Sequence, residues 1–172
     1  MATDCMPQVM FDFQGVRQPI VARFDQAHAS SEGGALLLKA IDERLELTQR
    51  LAACLVDRRQ PAKVEHELIE LMRQRVFGIA CGYADGNDAA RLRQDPIHKL
   101  LLEREPLDGA ALGSQPTLSR FENAVGLREV VAMGQVLADT VIAQHQRRLQ
   151  GQVEGSPSTS IPPSTPPMGN SS

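Results

Sequence analysis

Two short stretches near the amino terminus alternate between apolar and polar positions, which is the period of a β-strand. They cover residues 9–13 and 20–24, and the turn-forming residues Gly15 and Pro19 lie between them. Two such stretches joined by a turn predict a small antiparallel hairpin. Because a lone hairpin is only marginally stable in water, this one needs a helical layer beneath it.

From residue 30 the apolar positions follow the spacing of helices. The first helix is expected to start at Ala35, because Gly33 and Gly34 are poor helix formers. Ser30 or Ser31 is its expected cap. The apolar stripe predicted for this helix is Leu36, Leu37, Ala40, Ile41 and Leu45.

Thr48 is expected to cap a short second helix, and the clearest helix of the chain follows over residues 64–82. Its apolar residues recur at intervals of three and four, as they do on one face of an amphipathic helix. The residues on that predicted face are Val64, Leu68, Leu71, Met72, Val76, Ile79 and Ala80.

Capping and turn residues delimit the remaining helices. Residues 85–88 are expected to form a turn that caps a short helix, and Pro96 to open the next one. A loop over residues 105–113 leads to a helix that Ser114 caps, and the last and longest helix covers residues 127–150. The residues of this last helix that are expected in the interior are Val130, Val131, Leu137, Val141 and Ile142.

The periodic pattern ends before Gly151. Residues 151–172 are nearly all Ser, Pro, Thr, Gly and Asn, so they offer too little apolar surface to offset the entropy of ordering. The sequence therefore predicts a mainly α fold in three parts. These are a segment over residues 1–29 with a small β-hairpin, a helical domain over residues 30–150, and a disordered C-terminal tail over residues 151–172.

Composition narrows the possible partners. Aromatic residues make up only 3% of the 172-residue chain, so the core should be aliphatic. The net charge of −3 means that nucleic acid is not attracted by the chain as a whole and must be bound, if at all, through a local patch.

Cysteine usage and hydropathy indicate a compartment. Cys5, Cys54 and Cys81 are odd in number and form no CxxC pair, which is typical of thiols in a reducing cytoplasm. The first residues carry no apolar leader, and no stretch approaches the ~20 apolar residues of a membrane span. We therefore expect a cytoplasmic protein with no membrane partner.

Motifs for metal binding and catalysis are missing from the chain. Asp85, Asn87 and Asp88 resemble the opening of a calcium loop, but Ala89 stands where a third ligand is required. A turn that caps the next helix explains the same residues. No histidine or cysteine spacing fits zinc, and no nucleophile or phosphate-loop motif occurs. We therefore expect no catalytic residue, no metal site and no cofactor in this chain.

One short segment, residues 114–123, has the residue types of a DNA-contacting helix. Leu118 and Phe121 are expected to face inward, and a helix over residues 96–102 could precede it in a loose helix-turn-helix. The alternative is an exposed polar face with no ligand. The side chains that could reach base edges or phosphates are Thr117, Ser119, Arg120 and Asn123, with Arg91 and Arg93 as a second, phosphate-facing set.

Several blocks of the sequence, in one order and at similar spacing, resemble the opening of DDE-domain group 1 transposases of bacterial insertion sequences. The blocks are EGGALLLK at 32–39, LTQRLAACL at 47–55, RQRVFGIA at 73–80, GYADGND at 82–88, LRQDP at 92–96, SQPTLSR at 114–120 and EN at 122–123. The resemblance extends over about residues 8–148.

The resemblance implies a cut-and-paste DNA transposase of the ribonuclease H-like class. Such full-length enzymes use three carboxylates and divalent metal, Mg²⁺, for in-line attack on phosphodiesters. In the family the first catalytic Asp lies on a strand soon after the helix that matches residues 127–150, whereas here the Pro/Ser-rich tail follows. We therefore expect a chain truncated before the catalytic core, by a frameshift or a premature end, with no catalytic position to carry over.

Two functions of different classes stay open. One is a transposase-derived protein that retains at most binding to the DNA ends of the element or contact with another copy or a full-length transposase. The other is a small helical interaction protein, or a remnant without function, that binds no DNA. The net charge of −3 favours the second, whereas the arginine-bearing helices and the resemblance favour the first.

Overall fold

The structure, a computed structural model, describes residues 9–11, 20–22 and 30–154, and in this part the chain is mainly helical, as predicted. The helices are α1 (Ala35–Leu45), α2 (Leu47–Ala53), α3 (Leu68–Ala80), α4 (Ala89–Leu92), α5 (Pro96–Leu101), α6 (Gln115–Asn123) and α7 (Leu127–Glu154). Short 3-10 turns cover Pro61–Lys63 and Gly86–Asp88.

Two short strands, β1 (Val9–Phe11) and β2 (Ile20–Ala22), pair antiparallel with Met10 opposite Val21. They lie in the stretches where the alternating pattern occurs. Residues 12–19, which connect them, are outside the described residues. The hairpin itself therefore stays a prediction.

Helix α3 is the centre of the packing. It contacts α2, α5 and α6, while α1 packs on α5 and α2. One cluster of buried side chains joins α1, α3, α5 and the loop after α5; its members are Ala35, Leu36, Phe77, Leu101, Leu102 and Leu112. A second cluster joins α3, α4 and α6 through Leu71, Ala89 and Leu118. Apart from Phe77, both clusters are aliphatic, as the composition predicts.

The buried face of α1 is not the predicted stripe. Leu37 and Ile41 are more than half exposed, whereas Lys39 and Asp42 are buried next to Leu36. The reason is that this face carries polar links to its neighbours. The Lys39 ammonium lies 3.4 Å from the backbone oxygen of Leu101 and therefore joins α1 to α5.

The predicted caps of the first two helices are also wrong. Gly34 precedes α1 without a side-chain bond, and the Ser30 hydroxyl accepts from the N–H of Glu32 instead. Thr48 lies inside the first turn of α2, where its N–H donates to the Asp42 carboxylate at 2.8 Å. The preceding helix thus caps the following one, which a local sequence pattern cannot reveal.

Helix α3 is shorter than predicted, and its buried face is shifted. It begins at Leu68 because the Glu70 carboxylate accepts from the N–H of Glu67 and caps the helix there. Ile79 is 51% exposed, whereas Gln74 and Phe77 are buried. The predicted turn over residues 85–88 is confirmed, as are the helix at Pro96 and the loop over residues 105–113.

The predicted interior of the last helix is wrong. Val130, Val131, Leu137, Val141 and Ile142 are each between 46% and 67% exposed. Over residues 127–150 of α7, the side chains that are buried are Glu129 and Thr140. Glu129 accepts from the N–H of Val56, and the Thr140 hydroxyl accepts from Arg50 of α2 at 2.8 Å.

The chain divides into two units, Met1–Thr140 and Val141–Ser172. In the second unit, α7 continues to Glu154, so the helix extends past its predicted end at residue 150. Residues 155–172 are outside the described residues, and the disorder expected for them stays a prediction.

We expect Gln74→Ala to lower the free energy of unfolding by about 2–4 kcal/mol, because each buried polar group left without a partner costs ~1–3 kcal/mol. The buried Gln74 amide donates to the backbone oxygen of Gly113 and accepts from its N–H, both at 2.9 Å. Urea denaturation measures the change. Gln49→Ala on the exposed side of α2 is the matched control, and equal stability of the two variants would show that this contact contributes nothing.

We expect the stability to fall as the pH drops below about 6.5, the unfolded pKa of histidine. His98 is fully buried, and neither ring nitrogen has a hydrogen-bond partner in the described part of the chain. Burial lowers the pKa of His98, although Asp95 and Glu32 oppose the shift. The unfolded chain therefore takes up a proton that the folded chain resists.

Denaturation at pH 7, 6 and 5 tests this dependence. His98→Leu should remove it in part, whereas the same change at the exposed His145 should leave the contribution of His98 in place. Identical pH profiles for the wild type and His98→Leu would contradict the assignment.

Candidate nucleic-acid interface

Helix α6 is anchored by its apolar side. Ser114 precedes the helix and Pro116 lies in its first turn, where the fixed φ of proline suits a helix start. Leu118 is buried against Leu71 and Ala89, and Phe121 packs on the same cluster. The prediction that Leu118 faces inward is confirmed, and the opposite side of α6 is left to solvent.

Arg75 holds α6 from the side. Its guanidinium donates to the backbone oxygens of Tyr83 at 3.3 Å and Ala84 at 2.7 Å, and its Nε forms an ion pair with Glu122. One side chain of α3 is thus bonded both to the turn after α3 and to α6. These contacts fix the rotation of α6 about its axis and so determine which residues face outward.

Two of the predicted contact residues on α6 lie together. The Asn123 amide donates to the Ser119 hydroxyl at 3.3 Å. Arg120 is exposed on a neighbouring position, and its Nε donates to the backbone oxygen of Pro116 at 2.9 Å. The Thr117 hydroxyl lies 2.9 Å from that of Ser114, so it belongs to the start of the helix.

Arg91 and Arg93 are both exposed on or just after α4. The Arg91 guanidinium lies 5.5 Å from the centroid of the Tyr83 ring, in a cation–π contact. The Arg93 Nε donates to the backbone oxygen of Leu112 at 3.3 Å. Both side chains are therefore oriented by contacts within the fold, Arg91 by Tyr83 and Arg93 by the backbone of Leu112.

The helix next to α6 is not the predicted one. α5 packs on α1 and α3, whereas α6 packs on α3, α4 and the Gly86–Asp88 turn. The predicted helix-turn-helix of α5 and α6 is therefore not the main packing of α6, since the long loop between the two helices leaves α6 against α3, α4 and the Gly86–Asp88 turn. The same packing brings α6 next to α4, the helix of Arg91.

A groove of about 650 Å³ lies between α6 and the segment that connects α2 to α3. Its apolar side chains come from both sides and from the start of α3. They are Leu55, Val56, Leu68, Leu71, Phe121, Ala124 and Val125. Thr117 and Arg120 also line it, so one side of α6 faces solvent as a wall of this groove.

The acidic side chains of the groove have partners within the fold. Both oxygens of Asp57 accept from Arg59, at 2.8 and 2.7 Å, and these hydrogen bonds hold the pKa of Asp57 at about 2. Glu129 accepts from the N–H groups of Gly126 and Val56, which lowers its pKa. Glu65, the third acid, is exposed beside His66.

Three basic side chains at the groove, Arg58, Lys63 and Arg120, keep donors that could bind a further partner. Arg58 is 71% exposed and 3.8 Å from Glu129, whose oxygens already accept from the backbone. For Lys63 and Arg120, the described residues provide no ion pair. Since Asp57 neutralises Arg59, the charge left available at the groove is positive although the whole chain is negative.

Sequence reasoning missed Arg58 and Lys63. The signal was the run RRQPAK at residues 58–63, three basic residues in a connection with a proline. The run does not show which of its cations are already paired. Only the fold separates Arg59, bound to Asp57, from Arg58 and Lys63.

The described residues do not fit the metal centre that the resemblance implies for full-length enzymes. Among residues 9–11, 20–22 and 30–154, no group of three or more His, Cys, Asp or Glu side chains could hold a metal ion. In the same ranges no helix is long and apolar enough to cross a membrane.

A protein-family model described as "Transposase DDE domain group 1" matches residues 13–153. The matched region contains all of α1 to α6. It therefore includes the candidate contact residues on α6, Arg91 and Arg93 at α4, and the groove. No curated protein and no solved structure matches the chain.

Proposed function

We propose that this chain, which belongs to the Transposase DDE domain group 1 family, acts in DNA transposition by binding DNA through the exposed side of α6. The observation that supports the proposal best is the combination of a fixed helix with an unshielded polar side. Leu118 and Arg75 hold α6 in place, while Arg120 and Asn123 are exposed.

These two side chains suit base recognition. The Nη groups of Arg120 can donate two parallel hydrogen bonds to guanine, and the Asn123 amide can both donate to and accept from adenine. Ser119 lies beside Asn123 and would orient its amide. The DNA we propose is the terminal repeat of a bacterial insertion sequence, in keeping with the family.

Arg91 and Arg93, on and just after the neighbouring helix α4, would contact the phosphates of the DNA. Their guanidinium groups are oriented by Tyr83 and Leu112 but have exposed ends. Phosphate contacts position a protein on DNA without reading sequence. With a net charge of −3, the chain needs such a local set of cations.

We expect Arg120→Ala to relax sequence preference, because a bidentate contact with guanine contributes roughly 1–3 kcal/mol of discrimination. Arg91→Ala and Arg93→Ala should instead weaken binding to all duplexes alike and flatten the dependence on salt. The probe is a duplex selected from a randomised pool by the wild-type chain. Gel-shift titrations with this duplex and a scrambled one, at two salt concentrations, separate the effects.

Arg44→Ala on the exposed surface of α1 is the matched control, and it should bind like the wild type. Unchanged preference in Arg120→Ala would show that α6 is only a packing element. A pool that yields no enriched sequence would contradict the proposal itself.

Failure of the pool to yield an enriched sequence would support a second candidate function, that of a helical protein that contacts other proteins and no DNA. The observation that favours it is the row of exposed apolar residues on α7, which includes Val131 and Leu137. A mass above that of one chain in sedimentation, lost in Val131→Glu, would be the positive sign of self-association.

We further propose that the chain by itself neither cuts nor joins DNA. Support comes from the resemblance, which implies that the first catalytic Asp of the family lies on a strand soon after the helix that matches residues 127–150, where this chain has Pro- and Ser-rich residues. We expect no nicking or joining of the selected duplex in Mg²⁺ or Mn²⁺. Reproducible nicking by the purified chain, lost when one of its own carboxylates is replaced, would refute this.

A further inference from the structure

The groove beside α6 differs from the exposed side of the helix in having an apolar floor. Leu71 is almost completely buried beneath the groove. Phe121 is half-buried and is the only phenyl ring among the lining side chains, which also include the imidazole of His66. A volume of about 650 Å³ is that of a cleft for a small organic molecule, for which ~300–1,000 Å³ is usual. The flat face of a nucleobase fits such a floor.

The charges around this floor select an anion. Asp57 is paired with Arg59, and Glu129 accepts from two backbone N–H groups and lies 3.8 Å from Arg58. The exposed Arg58 together with Lys63 and Arg120 keeps donors for a ligand. A phosphodiester accepts hydrogen bonds from such groups, and charge-assisted bonds of this kind are strong. The groove therefore combines an apolar surface for a ring with cations for the attached phosphates.

We propose that this groove holds an unpaired nucleotide of DNA, with its base against Phe121 and Leu71 and its phosphates at Arg58 and Lys63. Arg120 lies between the groove and the exposed side of α6, so a strand that leaves a duplex on α6 can enter the groove directly. The inference rests on the proposed function in taking DNA as the ligand. It adds that the chain distinguishes a strand end with unpaired bases from a closed duplex.

Binding of two fluorescent probes tests the inference. One is the blunt selected duplex, and the other is the same duplex with three unpaired thymidines on one strand. The extended probe should bind at least about five-fold more tightly, because stacking of one base on an aromatic ring contributes roughly 1–3 kcal/mol, which corresponds to about 5- to 140-fold in affinity.

Arg58→Gln and Lys63→Gln should each reduce the advantage of the extended probe while leaving the affinity for the blunt duplex unchanged. Phe121→Leu, which keeps an apolar side chain but removes the ring, should reduce the advantage of the extended probe both at low and at high salt. Arg44→Gln is the control and should keep the advantage. Circular dichroism of each variant establishes that the helices are retained.

The outcomes separate the two proposals. Equal affinity for both probes, with sequence preference intact, would overturn the groove as a nucleotide site and leave the proposed function standing. Binding of the unpaired strand alone, abolished in Arg58→Gln, would support the groove and contradict duplex reading by α6. Displacement of the extended probe by a glutamate-rich, leucine-containing peptide but not by free oligothymidine would make the groove a peptide site and overturn the inference.

Discussion

The paired hydrogen bonds between the Gln74 side chain and the backbone of Gly113 are the constraint on which the candidate interface depends. A buried N–H and C=O must find partners, and the loop over residues 105–113 has no helix or strand to supply them. Gln74 satisfies both groups at Gly113, where an added Cβ would lie 2.9 Å from the Gln74 oxygen. Since α6 begins two residues later, this contact determines where the helix starts.

The same loop is held by Arg104, whose guanidinium donates to the backbone oxygens of Ala110 and Ala111 and to Glu70 of α3. Helix α3 thus holds the loop through Gln74, accepts Leu118 of α6 on Leu71, and fixes the rotation of α6 through Arg75. Polar and apolar contacts from α3 together hold in place the exposed side of α6, which we propose binds DNA. Loss of either set should misplace α6 without touching its exposed residues.

The net charge of this protein does not show which charged side chains already have partners within the fold. Arg59, Arg75 and Arg104 are held by carboxylates and backbone oxygens of the fold. Arg58 has one long ion pair with Glu129 and is 71% exposed, Arg120 is exposed and uses only its Nε within α6, and Lys63 lines the groove. The net charge of −3 hides this division. It is the division that allows a negative chain to present a positive groove beside α6.

The sequence by itself determined the features that depend on neighbouring residues: the helical class, the turn over residues 85–88, and the family blocks from EGGALLLK to SQPTLSR. Asp85 caps its turn, and Pro96 opens its helix, through bonds that span only a few residues. What depends on distant residues was decided by the tertiary structure. Long-range contacts bury Lys39 and Gln74 and leave Val131 and Leu137 exposed. Such contacts also place α6 beside α4 and bring Arg58, Lys63 and Phe121 together around one groove. Hydropathy at a position cannot report these, because the partner that buries or neutralises a side chain lies elsewhere in the chain.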